Sequence, residues 1–272
     1  MNQKTKDIQK RYDGFLQTGC LWKNSTVFDL KHFQLPIKSS KINIEIDEKL
    51  RLGKYIERFV SFELAQNSSI KIISENIQIQ KEKITLGELD CIILKDEKPI
   101  HLEIVYKFYL YDSSVGNESL HHWIGPNRKD SLREKLDKLQ QKQLPLLYSK
   151  ECKEYLQSID LNAKDFEQHV YFKAQLFVPF GMKRKVQSSI NTDCIVGYYF
   201  KPHELVQFKD AKFYIPTKKD WLMIPHTNVG WMAYKKYLEE SKNYLDRQFS
   251  PMCWMKTTTG ELKKFFLIWW ET

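Results

Sequence analysis

Leu86 to Phe108 reads Leu-Gly-Glu-Leu-Asp, then an apolar run and a charged turn, then His-Leu-Glu-Ile-Val-Tyr-Lys-Phe. If both runs are strands, a side-chain period of two places Glu88 and Asp90 on one face of the first. It places Glu103, Val105 and Lys107 on one face of the second. Three carboxylates and a lysine then converge across a hairpin that is otherwise apolar enough to be core. Buried charge is costly unless it is paired or bound to metal. Oxygen donors of this kind suit a divalent cation, and the chemistry such a site serves is cleavage of phosphodiester bonds.

Several elements must position these residues. Residues 1–46 read as one or two short helices and a connection, with Tyr12, Phe15, Leu16, Leu21 and Trp22 packing onto the body. A helix is predicted from Asp47, with Leu50, Leu52, Tyr55, Ile56, Phe59, Val60 and Leu64 at near-helical spacing. Glu57 lies on this helix. Residues 69–80 alternate as a strand, with an interruption expected at Glu75-Asn76. Strands at 88–94 and 100–110 follow, joined by the turn Lys95-Asp96-Glu97-Lys98, with Pro99 at the start of the second. After an irregular stretch, a second helix opens at Asp130 or Ser131, with Ser131 and Glu134 placed as a capping box. Leu132, Leu136, Leu139 and Gln143 form its inward stripe, and Pro145 ends or kinks it. Another strand spans 170–178. Beyond Pro179 the pattern gives strands near 194–200, 212–216, 221–224, 251–257 and 264–270, with a helix at about 230–247.

Composition narrows the class. A chain of 272 residues with 42% hydrophobic and 14% aromatic residues is long enough to bury a substantial core. Ten Gly and nine Pro include no linker-like run, so one unit with an elaborated C-terminal part is expected. The formal charge of +9 favours polyanions without identifying one. Short clusters at Lys183-Arg184-Lys185 and Lys218-Lys219 carry part of that charge, and such clusters are solvated by default. Five separated cysteines with no Cys-x-x-Cys pair argue against a disulfide framework and a zinc finger. No apolar run approaches a signal peptide or a membrane span, so the expectation is a reduced, cytoplasmic protein with no membrane partner.

The order helix, three strands, helix, strand, with acidic residues on the second and third strands, resembles the PD-(D/E)XK nuclease superfamily. More closely, Gly87-Glu88-Leu89-Asp90, Glu103-Ile104-Val105-Tyr106-Lys107-Phe108-Tyr109 and Trp123-Ile124-Gly125-Pro126-Asn127 resemble a bacterial domain-of-unknown-function family assigned to that superfamily. The resemblance implies Asp90 and Glu103 as ligands of Mg2+ or Mn2+, Glu57 as a helix glutamate near the metal, and Lys107 as the catalytic lysine. The usual spacing is Glu-x-Lys, whereas here Val105 holds the i+2 position and the lysine stands at i+4. Lys107 is thus roughly 13 Å along the strand from Glu103, on the same face. Glu88 reads as an extra ligand or an ion-pair partner for Lys107. Gln143 and Tyr148 resemble the glutamine and tyrosine that line the site in exonuclease-like branches. Arg128, Lys129 and Arg133, at the start of the second helix, are placed to contact phosphates.

Blander readings stand beside these. Asp90, Glu103 and Lys107 could be a structural ion pair on a half-exposed sheet, Glu57 a solvated helix glutamate, and Gln143 and Tyr148 core-edge residues. Cys91 faces away from Asp90 and reads as a small buried apolar residue rather than a nucleophile. His121 and His122 read as surface loop residues. The expectation is an α/β protein with a restriction-endonuclease-like core, a mixed central sheet and an elaborated α+β C-terminal part. It forms one nuclease-like domain over 1–272, with its core at about 47–180, a helical extension at 1–46 and the elaboration at 181–272. The expected function is a metal-dependent deoxyribonuclease acting in repair, recombination or defence. The alternative is a catalytically inactive protein of the same fold that binds nucleic acid or a protein partner.

Overall fold

The structure, a computed structural model, describes residues 3–23, 26–35, 41–182 and 190–271. The Lys183–Lys185 cluster lies outside the described residues. In chain order the elements are α1 (Gln3–Gln17), β1 (Thr26–Val27), β2 (Leu30–Lys31), α2 (Leu52–Ala65), β3 (Ile70–Lys81), β4 (Ile84–Lys95), β5 (Lys98–Tyr111) and β6 (Trp123–Ile124). They continue with α3 (Leu132–Lys138), α4 (Lys150–Ser158), β7 (Glu167–Pro179), β8 (Ile195–Phe200), β9 (Lys212–Tyr214), β10 (Met232–Ala233), α5 (Tyr234–Leu245), β11 (Met252–Lys256) and β12 (Leu262–Leu267). The protein is α/β, with a large mixed sheet and several helices. Among the described residues no helix is long and apolar enough to cross a membrane.

The chain divides into two compact units, each made from separated segments. Residues 20–106 and 134–173 form one, here the carboxylate unit; residues 1–19, 107–133 and 174–272 form the other, the terminal unit.

In the carboxylate unit the sheet order is β7-β5-β4-β3, with β3, β4 and β5 antiparallel to their neighbours in turn. Lys95 pairs with Lys98, leaving Asp96 and Glu97 as a two-residue turn. Both have positive φ, 50° and 63°, as the tightest hairpin turns require. β3 continues through Glu75-Asn76, where an interruption was expected. Asn76 instead adopts a left-handed conformation (φ 55°), which asparagine tolerates, between the pairs Glu75↔Cys91 and Ile77↔Leu89. The core joins Ile77, Ile79, Leu89 and Ile92 of the sheet to Leu147, Cys152 and Leu156. Gly87 permits that approach, since a Cβ there would stand 2.8 Å from the Leu146 side chain.

Two helix predictions shift. The first helix begins at Leu52 rather than Asp47, because Asp47 instead closes a turn, its Oδ1 accepting the Lys49 N–H at 2.8 Å. The second is not one helix to Gln143. After α3 the chain widens into a π-helical turn over Leu139–Gln143, with the Leu144 N–H reaching the Leu139 carbonyl. It then tightens into a 3-10 turn over Leu144–Tyr148 that contains Pro145. Leu132, Leu136 and Leu139 are fully buried, as their spacing predicts.

In the terminal unit the sheet order is β10-β9-β11-β12-β8-β7. β8 runs parallel to both β7 and β12, and the other pairs are antiparallel. Phe200, Phe213, Tyr237, Phe265 and Leu267 fill its core. The predicted strand at 221–224 is a 3-10 turn, Asp220–Leu222, in which the consecutive Trp221 and Leu222 are both buried. An alternating strand would expose one of them. Gly197 sits where β8 and β12 meet, and a Cβ there would lie 2.1 Å from the Lys264 carbonyl oxygen. Gly197→Ala is therefore expected to destabilise the protein by roughly 1–3 kcal/mol, because backbone must move to admit one methyl. A urea midpoint unchanged from wild type would refute that.

Candidate functional site

The site is built from the carboxylate unit outward from the β4–β5 hairpin. Its register runs from Lys95↔Lys98 to Cys91↔Leu102, so Asp90 and Glu103 occupy the next opposed positions. There the Asp90 side chain joins the strands, its Oδ2 accepting the backbone N–H of Ile104 at 2.9 Å. Glu103 is fully buried. His101 Nε2 stands 3.1 Å from its Oε1, and the Gln143 amide donates to its Oε2. The Gln143 carbonyl oxygen in turn accepts from Lys135 Nζ at 2.7 Å. The π-helical turn therefore delivers Gln143 to the acidic pair, so the core-edge reading of this residue is replaced by a direct contact with Glu103.

Helix α2 supplies the remaining groups. Glu57 is buried, and its Oε2 accepts from Lys54 Nζ at 2.9 Å. The same ammonium donates to Glu88 and to the Asn76 side-chain oxygen. Four carboxylates, Glu57, Glu88, Asp90 and Glu103, thus gather with one half-exposed lysine. The three expected metal-site acids, Asp90, Glu103 and Glu57, and the extra acid Glu88 belong to one cluster.

The electrostatics record the crowding. Burial raises the Asp90 pKa most, and the charges of Glu103 and Glu57 add to it. The Ile104 N–H and Lys54 oppose the rise, and the group is pushed up to about 8. Glu57 is also raised, again chiefly by burial, against the pull of Lys54. For Lys54, burial favours the neutral amine, but hydrogen bonds to Glu88 and Glu57 and their charges outweigh it and raise the pKa.

The lysine hydrogen-bonded to this cluster is Lys54. Lys107 belongs to the terminal unit, where its Nζ donates to Asp130 Oδ2 at 2.6 Å. Lys54 stands three residues before Glu57 on a helix, a spacing visible in the sequence, yet nothing there tied it to Glu88, which lies 34 residues further along the chain. His101 was also missed, although His-x-Glu alternation on one strand puts both side chains on one face.

The other candidates have surroundings of their own. Tyr148 is exposed on its 3-10 turn, beside Lys150 and Asn162. In the terminal unit, Arg128 is committed to Asp112 at 2.8 Å and to the face of Trp270 at 4.7 Å. Arg133 lies 3.8 Å from Glu118, and Lys129 is exposed. Lys218 is solvent-exposed, as expected of that cluster, with its amine resting 3.4 Å from the Trp221 ring centre. Cys91 is fully buried with a thiol pKa raised by desolvation, which makes it an inert packing residue.

The donors of the acidic cluster are all oxygens, and the buried Glu103 carboxylate is in contact with His101 and Gln143. That set fits a hard divalent ion, which takes one or two carboxylates and keeps several waters. Among the described residues no ready-made cage of three or more His, Cys, Asp or Glu side chains is present. In comparison with known proteins, residues 28–265 match a family described as "Domain of unknown function (DUF1853)". No curated protein and no solved structure matches the chain.

Proposed function

The chain belongs to the DUF1853 family, a domain of unknown function, and from its side-chain cluster we propose that it is a Mg2+- or Mn2+-dependent nuclease of the PD-(D/E)XK type that hydrolyses phosphodiester bonds in DNA. The observation that carries this reading is the gathering of Asp90, Glu103, Glu57 and Glu88 around Lys54 on a hairpin flanked by helix α2. The element order also supports it: α2, then β3, β4 and β5, then helical turns, then β7 matches helix, three strands, helix, strand. The net charge of +9 suits a polyanionic substrate.

Asp90 and Glu103 would hold the ion, with Glu57 as a third acid close by. When bound, such an ion polarises a phosphoryl oxygen and lowers the pKa of water. The protein's own groups do the rest. The Ile104 N–H fixes one Asp90 oxygen, so the other is left to bind. Lys54, anchored by Glu57, Glu88 and Asn76, presents a lasting positive charge that orients water or stabilises charge developing at phosphorus. Gln143 holds Glu103 in place.

The test is titration of Mn2+ into the wild type and into Asp90→Ala and Glu103→Ala, read by thermal shift and by cleavage of single-stranded, duplex and branched DNA. Wild type is expected to gain several degrees and to cut, and each variant to lose both responses. Cleavage that survives both substitutions would sink the reading. A metal-dependent shift with no cleavage of any substrate would favour a non-cleaving nucleic-acid-binding protein instead.

A further inference from the structure

We infer that His101 is a positioning residue for Glu103, held as the neutral Nε2–H tautomer by Gln168; this rests on the metal-dependent reading above and names the part of the site that orients its buried ligand. The chain of contacts assigns each proton. Gln168 Nε2 lies 2.6 Å from the Leu144 carbonyl oxygen and 3.0 Å from His101 Nδ1. A carbonyl oxygen only accepts, so the group facing it must be the amide NH2. Turning the amide over would set its oxygen against that carbonyl. The second amide hydrogen therefore points at Nδ1, which must accept. The ring proton is then on Nε2, directed at Glu103 Oε1, 3.1 Å away.

An imidazolium does not fit this arrangement, because its Nδ1–H would face an N–H. His101 and Glu103 are both fully buried, so no solvent replaces a lost partner. The other Glu103 oxygen is served by a similar relay. Lys135 Nζ can only donate, so Gln143 turns its carbonyl toward Lys135 and its NH2 toward Glu103. Each carboxylate oxygen thus receives one hydrogen bond whose direction is set by a third group. The carboxylate plane is fixed, and the lone pairs left over are aimed rather than free to rotate. Outer partners of this kind typically change metal affinity by about 10–100-fold when removed.

The experiment has two arms. In the first, 15N–1H correlation of the imidazole rings, assigned by the loss of one signal in His101→Gln, is expected to show the His101 proton on Nε2. A proton on Nδ1, or on both nitrogens, overturns the inference whatever the protein's activity. In the second, Mn2+ affinity and cleavage kinetics are measured for His101→Phe, His101→Gln and Gln168→Leu, with folding checked by melting. His101→Phe is expected to weaken Mn2+ binding about 10–100-fold and to lower kcat with KM for DNA little changed. His101→Gln keeps an N–H that reaches Glu103 and is expected to recover most of the loss, and Gln168→Leu falls between. Equal affinity in folded His101→Phe and wild type overturns the positioning role. A wild type that binds no Mn2+ overturns the metal-dependent reading itself, and the tautomer result then tells the two failures apart.

Discussion

Lys54→Met is expected to lower DNA cleavage by about 10²–10³-fold while Mn2+ still binds, the range seen when one preorganised donor to a developing charge is removed. The side chain keeps most of its length and loses its charge, so helix α2 and its packing should survive. Four carboxylates would then stand without their cation, and each would repel the others more strongly. Metal affinity is therefore expected to hold or rise as activity falls. That opposite movement separates loss of a catalytic amine from loss of the site. Lys107→Met makes the comparison sharp. Its ammonium is committed to Asp130 in the terminal unit, and cleavage by this variant is expected to stay within a few-fold of wild type. Single-turnover rates at saturating Mn2+ measure both. If Lys107→Met abolishes cleavage and Lys54→Met does not, the assignment of Lys54 is wrong.

The difference between the two lysines shows what the sequence could and could not convey. Periodicity along one strand placed Glu88 with Asp90, and Glu103 with Lys107, because a period of two is a local rule. The helical period likewise placed Leu132, Leu136 and Leu139 in the core, and the strand period turned Cys91 to the face opposite Asp90. What it could not convey is which side chains from different elements meet. Lys54 reaches Glu88 because α2 lies against this part of the sheet and because Asn76 turns left-handed to offer its oxygen. Gln143 reaches Glu103 only because the helix widens by one residue before Pro145, which an unbroken helical stripe does not foresee. Asp47 has the composition of a helix cap but closes a turn five residues early, since short-range side-chain bonds compete with the helix for the same backbone groups. Trp221 and Leu222 mislead for a related reason: two adjacent buried residues satisfy a hydrophobic count without satisfying a strand.

Asp90→Asn is expected to stabilise the metal-free protein at pH 8 by a few kcal/mol while abolishing its Mn2+ response. Asp90 is partly buried beside the buried Glu103 and Glu57, and its pKa is raised from the ordinary carboxylate value to about 8. Between those limits the folded protein keeps a proton that the unfolded chain releases. Stability therefore falls as pH rises through that window, by up to about 1.4 kcal/mol per pH unit for one proton. Asparagine carries no such charge, and its side-chain oxygen can still accept the Ile104 N–H. The two proteins should melt at similar temperatures near pH 4 and diverge steadily toward pH 8, measured in the presence of a chelator so that no metal compensates the acids. Saturating Mn2+ should close the gap from the wild-type side only, because an ion bound to the folded state alone adds stability that the variant cannot gain. An asparagine variant less stable than wild type at pH 8 without metal would mean that the Asp90 carboxylate contributes to the fold and is not held there at a cost.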